Sequence, residues 1–218
     1  MSWIAIIVLM CLVLRNSGLS RSDVRSNMTQ LFQDLKQATC SAHRKLDHHP
    51  LLARLMHRDL TFTHYRETLA QMRLAHSELE DRVVDFWRVQ KHTYQPEPRK
   101  HLLEQELQQL GVSIYQLHPA TDSGEGQVAP LHSLSEAVGA TYVLEGSRLG
   151  GMVLARAIET RLVGHRCLFF SGDGACHWEN FQRFCADASE HIERSTAITT
   201  AVQSFERYYS VINTKRIA

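Results

Sequence analysis

The sequence predicts an all-α, single-domain, multi-helical chain, and three observations carry that prediction. Apolar residues recur at helical spacing over long windows, while no alternating run is long enough to argue for a sheet. Start and stop signals punctuate those windows: Ser133 with Glu136 three residues later, Pro98, Gly111 and Asp173. Finally, 218 residues with 44% hydrophobic content can bury one sizeable core. The 24 basic and 23 acidic residues leave a net charge of +1, so there is no electrostatic footprint for nucleic acid. Five cysteines (Cys11, Cys40, Cys167, Cys176, Cys185) include no Cys-x-x-Cys pair. Their odd number and spacing argue against a disulfide framework or structural zinc and suit a reducing, cytoplasmic compartment.

Trp3 to Leu14 is continuously apolar but short of the ~20 residues a spanning helix needs. No positive charge precedes it, and no clean small-residue cleavage site follows. Residues 1–27 are therefore read as an extension outside the domain, with Met28 as an alternative start; membrane contact through residues 3–14 is the competing reading. The domain is expected over 28–213, with 214–218 as a tail.

The first domain helix is expected from Asn27, with Gln30 three residues on, to the region closed by Pro50. Leu31, Leu35, Ala38, Ala42 and Leu46 form its apolar stripe, and Lys36, Thr39 and His43 share an adjoining face. A histidine at that margin serves either as a packed side chain or as a ligand. A long helix follows over 63–89, with Leu69, Met72, Leu79, Val83, Phe86 and Trp87 inward. Thr93 to Pro98 is a turn, and Pro98 is placed as the first residue of a helix running to Leu110 and stopping at Gly111. Residues 122–127 read as an exposed loop.

The next helix opens on the Ser133/Glu136 capping box and contains Gly139, Gly146, Gly150 and Gly151. Each interior glycine costs about 1 kcal/mol relative to alanine, so about 3–4 kcal/mol is given up unless something needs the missing side chains. Gly139, Gly146 and Gly150 share one face. Either another helix packs there, or a flat ligand does. Glu145 and Arg148 exclude a membrane version of the packing. After Gly164, Asp173 caps a helix carrying Trp178, Phe181, Phe184 and Cys185, and a last helix spans about 197–212 with Ile198, Val202, Phe205 and Tyr209 inward.

Lys36-Gln-Ala-Thr39-Cys-Ser-Ala-His43, with Asp47 four residues on, resembles the proximal helix of the heme oxygenases. Tyr142-Val-Leu-Glu145-Gly146-Ser147-Arg-Leu-Gly150-Gly151 is similar to the distal helix of bacterial members of that family. The two motifs stand in the right order, and the resemblance covers roughly residues 28–213. It implies a helical fold that sandwiches heme between the two helices, with His43 as axial ligand to the iron and Asp47 as a partner for its other ring nitrogen. It further implies a distal wall of Gly146 and Gly150 with Ser147, Tyr142 and Gly151 beside it, and Lys36 and Arg183 toward the propionates; Thr39 belongs to the same heme-facing motif. The implied reaction has heme as substrate and cofactor together, cleaved with O2 to biliverdin, CO and Fe2+. Electrons would come from a ferredoxin or a flavin reductase, and the biliverdin would serve a bilin-using photoreceptor or iron acquisition. Animal-type enzymes carry a distal carboxylate that organises proton-delivering waters; Ser147 occupies the matching position.

Three competing functions remain at this point. A di-iron oxidase would use Glu-x-x-His pairs, and none occurs in the chain. A heme carrier or sensor would use the same ligand and glycine helix without turnover. A purely structural helical protein would bind no heme.

Overall fold

The computed structural model describes residues 22–90, 92–113 and 129–214. The loop expected at 122–127 and the apolar stretch 3–14 lie outside them. Seven α-helices lie among the described residues: α1 (Ser22–Asp47), α2 (Pro50–Ala53), α3 (Phe62–Gln90), α4 (Lys100–Gln109), α5 (Leu134–Arg161), α6 (Gly174–Asp187) and α7 (Arg194–Asn213). Short 3-10 turns lie at Arg54–Met56 and Ser189–His191. No strand occurs among the described residues, as the absence of alternating patterns predicts. None of the described helices is long and apolar enough to cross a membrane.

Several boundaries differ from the sequence reading. α1 begins at Ser22 rather than Asn27. Its stripe buries Leu31, Leu35 and Leu46 but adds Phe32, while Ala38 is exposed. α4 starts at Lys100, not Pro98, and its N-cap Arg99 has no side-chain cap of its own. The Glu80 carboxylate of α3 caps it instead, accepting from Arg99 N–H (2.6 Å) and Lys100 N–H (2.9 Å). A negative charge at a helix N-terminus is favourable, but this one comes from 20 residues upstream and leaves no local motif. α7 starts at Arg194 because Glu193 accepts from Ser195 N–H and Thr196 N–H. Those bonds, with the two hydroxyls, hold its carboxyl down to about 2. By contrast, the capping box of Ser133 and Glu136 is present on both sides, a motif worth about 1 kcal/mol.

α5 lies at the centre. It is buried along most of its length, and its most extensive neighbours are α7, then α6 and α3. α7 in turn lies against α1 and α3, so it braces both helices that carry the resemblance. The core includes the cluster of Phe32, Tyr142, Trp178 and Phe181, and a second around Trp87, Tyr94 and Phe184. Trp87 donates its indole N–H to Thr141 of α5 at 2.9 Å.

The capping carboxylate Glu80 is also paired with His76 one turn earlier, at 3.0 Å from its Nε2, and both side chains are buried. Burial pushes the His76 pKa below its usual 6.5, so the ring stays neutral and donates to the carboxylate. The unfolded chain takes up this proton near pH 6.5 while the folded chain refuses it, so this contribution to stability shrinks as pH falls below ~6.5. The slope is at most about 1.4 kcal/mol per pH unit for one proton. Glu80 adds a separate loss at lower pH, because its folded pKa lies below its usual 4.5. Urea melts at pH 7, 6 and 5 should show less of the upper loss in His76→Gln, which keeps a donor but cannot titrate. Equal slopes in the variant and the parent would exclude His76 as the source.

Candidate functional site

On α1, His43 keeps 26% side-chain exposure and Asp47 11%. His43 Nδ1 lies 3.1 Å from Asp47 Oδ2, one helical turn on. With a carboxylate at Nδ1 the proton sits there, and Nε2 carries the ring's lone pair. The imidazole meets Phe205 of α7 edge-on, ring centres 5.5 Å apart. Lys36 is half-buried on the same side of α1. Thr39 is buried and donates its hydroxyl to Leu35 O at 2.7 Å, and it also meets the Tyr142 phenol. These two residues therefore join α1 to α5 at one edge of the site. Burial raises the Tyr142 phenol to about 12, so it remains protonated.

The glycines of α5 divide by what surrounds them. A Cβ on Gly139 would stand 2.2 Å from Ala197 O and 3.1 Å from Ala201 N, both backbone atoms of α7. At Gly151 it would stand 3.2 Å from Phe170 O, so the segment after α5 closes that side. Both are packing glycines. Gly146 shares the face of Gly139 two turns on, yet an added Cβ there meets nothing within 4 Å. Among the described residues, the face that α7 covers at Gly139 is thus open at Gly146. Gly150 is buried. The single stripe read from the sequence serves two purposes, packing first and open backbone second.

Next to Gly146, the exposed Ser147 donates its hydroxyl to Leu144 O (2.7 Å) and accepts from Arg99 Nη2 at 3.3 Å. Arg99 is 4% exposed, gives Nη1 to Phe169 O (3.3 Å), and stacks over the Phe169 ring. Burial, with the nearby Arg148 charge, lowers its pKa to about 10, which still leaves it charged near neutrality. Its Nε has no hydrogen-bond partner among the described residues. Arg99 was missed in the sequence, where it is one arginine after a proline; only the Glu80 cap and the Phe169 contact bring it to Ser147. Glu145 is fully buried and accepts from Tyr94 Oη at 2.9 Å, with Arg148 Nε 3.7 Å away. That carboxylate is committed to an internal pair. Arg183 on α6 is exposed and donates to Asn180 at 3.3 Å.

The fold is similar to the crystal structure of heme oxygenase-1 from the cyanobacterium Synechocystis sp. PCC6803 in complex with heme. The TM-score is 0.64 at 20% sequence identity, covering 84% of this chain and 90% of that one. No curated protein matches the sequence. The family model for heme oxygenase matches residues 29–214, most of the chain, and the protein therefore belongs to the heme oxygenase family.

Proposed function

We propose that this protein is a biliverdin-forming heme oxygenase, which consumes heme, O2 and electrons from a ferredoxin or flavin reductase and releases biliverdin, CO and Fe2+. The observation that carries the reading is the pairing of His43 with Asp47 on α1 alongside a glycine left uncovered on α5. These residues fit heme: an imidazole whose proton is held at Nδ1 by a carboxylate, and bare helix backbone where a flat macrocycle needs close approach. Bound heme supplies both the iron that activates O2 and the carbon skeleton that is oxidised.

In this reading His43 would hold the iron and Asp47 would fix the ring. Gly146 and Gly150 would line the other side of the heme, and Lys36 and Arg183 would pair with the propionates. Such exposed pairs are each worth about 0.2–1 kcal/mol, so their larger effect is on heme orientation. Ser147, whose hydroxyl donates to Leu144 O and accepts from the Arg99 guanidinium, would hold a polar group beside Gly146 on the proton-delivery side of the heme. Ser147→Ala is expected to retain heme and slow turnover by roughly 10²-fold, the lower end of what positioned proton transfer contributes. Single-turnover rates in H2O and D2O check this, and a wild-type rate would remove Ser147 from the proton route.

The deciding experiment adds reductant and O2 to the purified heme complex. Biliverdin and free iron support the oxygenase. An unchanged Soret band leaves a heme carrier or sensor instead. We place the reaction in the cytoplasm, where it would feed a bilin-using photoreceptor or iron acquisition.

A further inference from the structure

We propose that Glu106, His165 and Cys167 form a second site, separate from the heme face, that binds one borderline divalent transition-metal ion of the Zn2+ class. Glu106 projects from α4, and the other two come from the segment after α5, which turns at Gly164 (φ 85°). One ligand atom from each lies within 4.8 Å of the others. All three side chains are nearly or fully buried: Glu106 is inaccessible, Cys167 is 3% exposed and the His165 side chain 8%. Carboxylate oxygen, imidazole nitrogen and thiolate sulfur together form a donor set that suits Zn2+.

Zinc bonds of about 2.0–2.3 Å in a tetrahedron separate the ligand atoms by roughly 3.3–3.6 Å. His165 Nε2 and Glu106 Oε1 are 2.8 Å apart, so they need to open only slightly. The Tyr65 hydroxyl sits between Glu106 and Cys167, 2.7 Å from Glu106 Oε1 and 3.5 Å from Cys167 Sγ. The supporting bonds are already made. Glu106 Oε2 accepts from Leu168 N–H (3.0 Å) and Phe169 N–H (2.8 Å), and Glu159 holds Cys167 N–H at 3.0 Å. An access route exists as well, since His165 lines a surface cavity of about 420 Å³ together with Phe62, Arg66 and Gln109.

Without metal these groups form a hydrogen-bonded knot that satisfies Glu106, yet the Cys167 thiol gains only the long contact from Tyr65. A cysteine is mostly the neutral thiol near pH 7, whereas the thiolate is the metal ligand. Metal binding then displaces the thiol proton to solvent, while the His165 proton moves to Nδ1 and Nε2 becomes the ligand. One proton leaves per ion bound, and no electron transfer is involved.

The test titrates the full-length protein, heme-free and heme-loaded, with Zn2+ against a chromophoric chelator. One equivalent should bind in both forms, with one proton released. Cys167→Ser and His165→Gln should each weaken it by about tenfold or more, since even outer-shell partners are worth 10–100-fold. Co2+ in place of Zn2+ should give thiolate charge-transfer absorption that Cys167→Ser abolishes. The heme spectrum should be unchanged in both variants, which separates this site from the proposed heme face. Less than one equivalent in the wild type, or affinity unaltered in both variants, would overturn the proposal in favour of the knot alone. If Cys167→Ser does not fold, His165→Gln at the cavity edge and the wild-type Co2+ spectrum decide it.

Discussion

His43→Ala is expected to abolish the histidine-ligated heme spectrum and, with it, biliverdin formation, while the helical fold persists. His43 is a quarter exposed and lies at the margin of the α1 core stripe, not within it. Its removal costs the Asp47 pair and the edge-on contact with Phe205; ring pairs of that kind contribute about 0.5–1.5 kcal/mol, which a domain of this size tolerates. The effect should therefore be chemical. Imidazole added to the variant should enter the vacated space and restore the ligand signature in part, because Asp47 remains to orient its N–H. Asp47→Asn should keep the ligand but alter its basicity, shifting the iron's ligand-field bands without losing heme. Absorption and electron paramagnetic resonance spectra of the three proteins, with single-turnover bilin yield, make the measurement. An unaltered spectrum in His43→Ala would assign the iron to another residue.

The parts of this molecule that could be read from the sequence are those whose cause is local. The α3 stripe is a period of 3.6, and Leu69, Met72, Leu79, Val83, Phe86 and Trp87 are all buried as that period requires. The Ser133 capping box and the Asp173 cap are likewise contiguous signals, and both form. His43 and Asp47 are one turn apart on one helix, so their bond follows from spacing alone. What was illegible depends on a second segment. The start of α4 is set by Glu80 from α3, and Arg99 reaches Ser147 only because that cap holds it there. Glu106, His165 and Cys167 meet across about 60 residues of chain with no ligand spacing that sequence motifs describe. The glycines of α5 are the intermediate case: their shared face was evident, but which of them another backbone covers is a fact of α7.

That division yields the sharpest contrast in the molecule, because alanine should have opposite effects at Gly139 and Gly146. At Gly139 the new methyl would collide with Ala197 O at 2.2 Å and Ala201 N at 3.1 Å. These are backbone atoms of a helix, so no rotamer change relieves the clash and α5 must move from α7, its most extensive partner. Overpacking of this kind costs typically about 1–3 kcal/mol or more, against a gain of about 1 kcal/mol in helix propensity. The net should be destabilising, with a fall of several degrees in Tm, since 1 kcal/mol is worth about 2–4 °C at this chain length. At Gly146 the methyl meets none of the described residues within 4 Å, so only the propensity gain remains and the heme-free protein should become more stable by up to about 1 kcal/mol. The same methyl would nevertheless stand on the face assigned to heme, so Gly146→Ala should gain Tm and lose heme affinity or turnover together, and Gly150→Leu should block O2 chemistry more severely. Thermal melts of the heme-free variants and heme titrations of each make the comparison. If Gly146→Ala gained stability and still bound and turned over heme as the parent does, the open stretch of α5 would not be the wall of the heme site, and the about 1 kcal/mol that glycine forgoes there would need another ligand to explain it.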